Sequence, residues 1–233
     1  MAVTPNTDEA FLREVDEELR RDQLASAWSR YGRWLIGAIA VALVALGGVL
    51  YWQYHGEQNA GEQGEKLQKI YNDLGAQKTA AVQAPLAELA GSNGPGYRAM
   101  ARFTQADMLL QKGDLKGAAG KFAEVAGDSS IGQPLRDLAL IRQTNAEFDT
   151  LKPQVIVDRL RTLAVKGGPW LGSAGELVGA AYLKMNQRDL AASMFKMMAE
   201  DENVPESLRQ RALQIAGTMG VNAASPVGDK KAQ

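Results

Sequence analysis

Side chains able to do acid–base or nucleophilic chemistry are scarce in this chain. His55 is its one histidine and it has no cysteine. A catalytic imidazole paired with a nucleophile, a thiolate and a zinc site therefore have no material across most of its length. Carboxylates are numerous, but they are mixed with Lys and Arg as on a solvated helical surface. The densest acidic run, Glu200-Asp201-Glu202, stands just before Pro205 and lacks the ligand spacing of a calcium loop, so it reads as a surface turn. Gly167-Gly168-Pro169 reads as a break between helices, not as a phosphate-cradling loop. These residues predict no catalytic group, no metal site and no cofactor. The chain is expected to bind, not to catalyse.

Charge narrows the partners. With 26 Lys and Arg against 27 Asp and Glu, the net charge is −1. No segment is strongly basic, which argues against nucleic acid, whose capture needs clustered cations that displace counterions.

The elements that would position a binding surface begin with Trp34 to Trp52, WLIGAIAVALVALGGVLYW, a stretch with no charge and no proline. As a helix it rises about 28 Å, close to the hydrocarbon thickness of a bilayer. Arg30 and Arg33 stand directly before it, whereas the following QYHGEQNAGEQGE has no Lys or Arg until Lys66. The cation bias predicts a cytoplasmic arm and an extracytoplasmic domain. Trp28, Tyr31 and Trp34 would lie at the inner boundary, and Tyr51, Trp52 and Tyr54 at the outer one. The apolar core is longer than that of a cleavable signal peptide and no small-residue cleavage pattern follows, so an uncleaved signal anchor is expected. Without cysteine, a domain in an oxidising compartment has no disulfide framework and no lipid-modified thiol. It must rest on apolar packing, which its size allows.

Beyond the span, apolar residues recur every three and four positions between short breaks rich in glycine, proline and asparagine, which predicts helical hairpins throughout. Two of them align. When ADMLLQKGDLKGAAGKFAEV is laid on GAAYLKMNQRDLAASMFKMM, Ala106 meets Gly179, Leu109 meets Tyr182, Gly113 meets Asn186, Ala118 meets Ala191 and Phe122 meets Phe195. Small residues at a helix crossing, a turn residue tolerant of positive φ, then alanine and phenylalanine four apart resemble the tetratricopeptide pattern. Ile156 and Leu160 fill the same places in a degenerate copy between them, and Val82 and Leu86 in one before. The expectation is all-α: one N-terminal transmembrane helix, then a tetratricopeptide-like solenoid of about four hairpins with Pro205–Gly217 as a capping helix. Its parts are an arm at 1–33, a span at 34–54, a repeat domain at 55–217 and a tail at 218–233 without fixed structure.

Two further features bear on partners. Met185, Met194, Met197 and Met198 crowd the last hairpin; a surface for varied apolar clients is one reading, and core filling at helical spacing is the favoured one. The arm is predicted to be helical from a cap at Asn6 or Thr7, with Glu9 completing a capping box, Phe11, Leu12, Val15 and Leu19 on one face, and Asp16–Arg20 and Glu17–Arg21 as i,i+4 pairs. Seven acidic residues against five arginines before Trp34 argue against adsorption to anionic lipid. Contact with a cytoplasmic protein, homo-oligomerisation and a merely solvated helix all remain open for it.

The run FLREVDEELRRDQLASAWSRYGRWLIG leading into the span, followed by these hairpins, resembles the YfgM-like family, ancillary subunits of the bacterial SecYEG translocon, in particular its alphaproteobacterial members. That resemblance implies an inner-membrane protein with a cytoplasmic amino terminus and periplasmic repeats. It further implies Sec translocon subunits and a membrane-anchored periplasmic chaperone of the prolyl isomerase type as partners, and it brings no catalytic residues. The competing expectation is a scaffold that coordinates the cell envelope or cell division with the same repeats. The sequence names no partner-contact residue.

Overall fold

The structure is a computed structural model. It describes the backbone of residues 7–220 and, within that range, the side chains of residue 28, 30–34, 36–52, 54 and 58–220. The arm's cap, its Phe11, Leu12, Val15 and Leu19 face, its two ion pairs and the tail from residue 221 onward lie outside the described residues. The chain divides into two compact units between Glu62 and Gln63.

In the first unit the described backbone is helical, part of α1 (Thr7–Gly75). Within it Arg30–Trp52 is long and apolar enough to cross a membrane, and its apolar window is not buried inside the fold. Ile39 is 52% exposed and Trp52 84% exposed, so this helix has neither a polar face nor a protein cover.

The second unit is built from the end of α1 and eight helices: α2 (Gln83–Ala90), α3 (Pro95–Gln111), α4 (Leu115–Ala126), α5 (Gln133–Ala146), α6 (Pro153–Leu160), α7 (Leu171–Lys184), α8 (Arg188–Glu200) and α9 (Glu206–Thr218). No strand forms among the described residues. Helix starts follow local chemistry. Pro95 and Pro153 occupy the first position of α3 and α6, where a missing N–H is harmless. Asp114 caps α4 by accepting from the Gly117 N–H at 2.8 Å.

Four hairpins result: the end of α1 with α2, α3 with α4, α5 with α6, and α7 with α8. Helix α9 covers the last of them, burying Ala212 and Ala216 against Phe195 and Met198, although Leu213 on its outer side is 44% exposed. The first helix of the first hairpin is not a separate element but the C-terminal stretch of α1, which places Ile70 in a core with Val82, Leu86 and Leu89.

The third hairpin is the least regular of the four. Its second helix, α6, stops at Leu160 after eight residues. The chain then turns, with the Leu163 and Ala164 N–H groups both donating to the Leu160 carbonyl at 2.9 Å. This tightening turns Ala164 into the core, and Gly167-Gly168-Pro169 prevents resumption of the helix before Leu171.

Candidate interaction surface

The residues singled out for repeat packing lie inside the second unit. Ala106, Ala118 and Phe122 are fully buried in one core. Ile156 and Leu160 are fully buried in a second, and Ala191 and Phe195 lie in a third. Leu109 and Tyr182 are half-buried against these cores. Gly179 shows why this position must be small: a Cβ there would lie 2.7 Å from Cζ of Phe195, so an added methyl would displace the ring.

The turns carry a signal that the alignment only half exposes. Gly113 has φ 76° and Asn186 φ 59°, and Gln77 also has φ 60°. Each of the three donates its N–H three residues back, to Leu110, Leu183 and Leu74 respectively. The next residue then donates five back, to Leu109, Tyr182 and Asp73. These are Schellman closures, in which a left-handed residue lets two orphan carbonyls be satisfied. Gln77 stands 36 residues before Gly113, in the repeat register, but glutamine carries no composition cue for this conformation.

A groove of about 700 Å³ opens between the first helices of hairpins one to three. The end of α1 supplies Tyr71 and Leu74, α3 supplies Met100, Phe103, Asp107 and Met108, and α5 supplies Leu135, Leu138 and Arg142. Tyr71 and Met100 are more than one-third exposed, while Phe103 and Met108 form the buried floor. Arg142 closes one side: its guanidinium makes a bidentate pair with Asp107 and lies 4.7 Å from the Phe122 ring centroid and 5.9 Å from that of Phe103. The methionines named from sequence lie elsewhere. Met198 is buried, and Met185, Met194 and Met197 are half-buried against the later cores.

The acidic run is not uniformly a surface turn. Asp201 is only 5% exposed. Its carboxylate accepts from the Gly167 N–H at 2.5 Å and the Asn203 N–H at 2.9 Å, pinning the connection between α6 and α7 to that between α8 and α9. These backbone donors, Gly167's first, hold its pKa below the ordinary carboxylate value. Asp128 is held well below that value by the Ser130 hydroxyl and then by Arg98, which donates from Nε at 2.9 Å. Both carboxylates are committed to backbone and side-chain donors. Among the described residues no group of three His, Cys, Asp or Glu is placed to hold a metal.

Sequence reasoning also missed a ladder of ion pairs. Asp107–Arg142, Asp149–Lys184 and Glu176–Arg211 each join residues 35 apart; the first two link successive hairpins and the third links the last hairpin to α9. The signal was available as an acid followed one repeat later by a base. It was obscured because charges on an exposed helix face have no necessary partner.

In the first unit the boundary residues Arg30, Arg33, Trp34 and Trp52 are all exposed. Trp28 lies over Gly32, one turn on.

Neither curated proteins nor solved structures include a match to this chain. The tetratricopeptide repeat-like domain family matches residues 26–216, which takes in the apolar helical stretch as well as the stacked hairpins. A match over that much of the sequence, to a fold of paired helices with an open groove, shows that the chain belongs to the tetratricopeptide repeat-like domain family.

Proposed function

We propose that this protein is a membrane-anchored scaffold that associates with the Sec translocon and with a membrane-anchored periplasmic chaperone of the prolyl isomerase type. The observation that carries this reading is the union, in one chain, of an uncovered apolar helix at Arg30–Trp52 with stacked repeats that suit protein partners. The Arg30 and Arg33 flank favours a cytoplasmic amino terminus and periplasmic repeats in the bacterial inner membrane. The resemblance of the arm and span to translocon ancillary subunits supplies the partners. Anchoring supplies the mechanism. A domain tethered beside a channel meets a neighbouring chaperone or an emerging chain at high effective concentration, so weak contacts suffice.

In-cell photocrosslinking tests the reading, with probes at Ala45 in the span and at Leu190 and Leu213, which are 48% and 44% exposed on the repeats. Channel subunits captured from Ala45 and a prolyl isomerase-type chaperone captured from the repeats are the expected outcome. Division or cell-wall proteins in their place would replace the translocon with envelope coordination as the function.

A further inference from the structure

The turns that close the second, third and fourth hairpins lie along one edge of the second unit. The Asp107–Arg142 pair sets α3 and α5 side by side, each residue one turn before the end of its helix. Lys184, the last residue of α7, reaches Asp149 at 2.8 Å and lies 4.2 Å from the Phe148 ring centroid, so the turn after α5 adjoins the turn after α7. Exposed aliphatic side chains gather on this edge. Leu115 is 53% exposed and Leu190 48%, and Val155 and Leu183 are each more than one-third exposed. Val155 and Leu190 stand 35 residues apart in the first turns of α6 and α8, in the register of Leu160 and Phe195. A shallow hollow of about 520 Å³ opens beside Arg188 and Leu190.

The same edge is short of counter-charge. Lys112, Lys116, Lys152 and Arg188 are exposed and form no ion pair with any described residue. Three of them oppose their own helices: Lys116 is the second residue of α4, Lys152 the N-cap of α6 and Arg188 the first residue of α8. A helix start carries partial positive charge, so a cation there weakens its helix. Local stability does not explain the placement, and helix ends and side chains add to one row of positive potential. The acids of these turns are mostly engaged. Asp114 accepts from the Gly117 N–H, Asp149 from Lys184 and Glu147 from Arg159, which leaves Asp189 among the described residues. We infer that this edge docks an acidic amphipathic helix of a partner protein, with carboxylates on the cations and aliphatic side chains on Leu115, Val155 and Leu190. Spacing sharpens the match. Parallel helices bridged by an ion pair lie about 10 Å apart, and a helix advances about 10.5 Å in seven residues, so an acid and a leucine recurring at every seventh position meet successive turns. Asp149, whose side chain is 90% exposed, and the exposed Asp189 stand between the cations, where they repel a uniformly anionic bilayer but fit the gaps of a partner helix. The scaffold reading above names partners and no contact residue; this docking edge goes beyond it and stands without it.

The test uses the full-length chain in phosphatidylcholine nanodiscs, which carry no net lipid charge, with empty nanodiscs as the blank. The probe is an end-capped, fluorescein-labelled peptide of three copies of Glu-Leu-Ala-Ala-Gln-Ala-Ala, rich in helix formers and read by anisotropy. Two relatives accompany it, one with Lys for every Glu and one with Ser for every Leu. Saturable binding of the acidic peptide is expected, weaker by about tenfold or more for each relative and falling with salt. A variant with Lys112→Glu, Lys116→Glu, Lys152→Glu and Arg188→Glu should lose the acidic peptide and gain the lysine one, a reversal that misfolding does not mimic. Leu115→Ser combined with Leu190→Ser should weaken the acidic peptide by about tenfold while the thermal unfolding curve stays unchanged, and Met100→Glu, in the groove, should leave it bound. Equal binding of the Glu and Lys peptides, no response to either edge variant, loss of binding in Met100→Glu, or no saturable signal up to about 1 mM would each overturn the inference. Phosphatidylglycerol vesicles that capture the chain through the same four cations while the peptide does not bind would overturn it in favour of a lipid surface. Channel crosslinks from Ala45 report on the translocon reading alone, so either idea can fail without the other.

Discussion

The second and third hairpins share a register but not a construction. In the second, a 17-residue α3 and a 12-residue α4 meet through a Schellman turn at Gly113, and Phe103 and Phe122 lie with ring centroids 5.9 Å apart. In the third, a 14-residue α5 precedes an eight-residue α6 and no left-handed residue closes the turn. Ile156, Val157 and Leu160 of α6 are buried chiefly with Ala174, Val178 and Ala181 of the following helix α7. A hairpin can thus lose its internal closure and keep its place in the stack, because each repeat is held by its neighbours as much as by itself.

The largest expected effects test that contrast directly. Phe122→Ala removes a fully buried ring and should cost about 3–5 kcal/mol, against about 2–5 kcal/mol for Leu160→Ala at the matching place in the third hairpin. Denaturant unfolding of the full chain in detergent, followed by circular dichroism, measures both. A larger loss at Leu160 than at Phe122 would reverse the comparison and make the third hairpin the keystone.

Next in size is the close approach at Gly179. Gly179→Ala forces a methyl against the Phe195 ring and should destabilise by about 1–3 kcal/mol. Gly120→Ala in α4, where a Cβ meets nothing within 4 Å, should instead stabilise by about 0.4–1 kcal/mol. Opposite signs for the same chemical change, read from midpoint shifts, would show that packing, not propensity, fixes the glycine of α7.

A third pair concerns the turns. Gly113→Ala places a side chain at φ 76° and should cost about 1–2 kcal/mol, whereas Gln77→Gly relieves the same strain and should gain about 1 kcal/mol. Equal tolerance of both substitutions would mean that the third hairpin's open turn is the norm and the Schellman closure incidental.

Much of this architecture was legible because it repeats. Ala118 and Phe122 against Ala191 and Phe195 set a period that located Ile156 and Leu160, residues with no distinctive local pattern. The breaks were legible because proline and glycine have local causes. The groove was not, since its lining comes from three hairpins and its chemistry depends on Arg142 being paired with a residue 35 positions away. Asp201 was misread for a similar reason. Three acids in a row look solvated, and only the Gly167 N–H across the fold explains why the middle one is buried.

The inter-hairpin ion pairs should contribute little by comparison. Glu176 and Arg211 are 35% and 53% exposed at the side chain, so a double-mutant cycle with Glu176→Gln and Arg211→Gln should return about 0.2–1 kcal/mol, falling with salt. A coupling well above that range would make the ion pair, and not the apolar core around Phe195, the device that joins α9 to the last hairpin.

The smallest global effect, and the most local, belongs to Asp201. Its folded pKa is depressed, so its hydrogen bonds stabilise the native state fully above the unfolded carboxylate value of about 3.9 and are lost as pH falls through the lower folded value. The Gly167 amide, whose N–H it accepts, should therefore be protected from hydrogen exchange at pH 5 and above, after correction for intrinsic rates, and lose that protection in stronger acid. In Asp201→Ala the acceptor of the Gly167 and Asn203 donors is gone, so protection at Gly167 should be low at every pH while the cores around Phe122 exchange as before. If Gly167 stays protected in the variant, the turns after α6 are held by Ala164 and their own hydrogen bonds, and the irregular third hairpin needs no clasp from the α8–α9 connection.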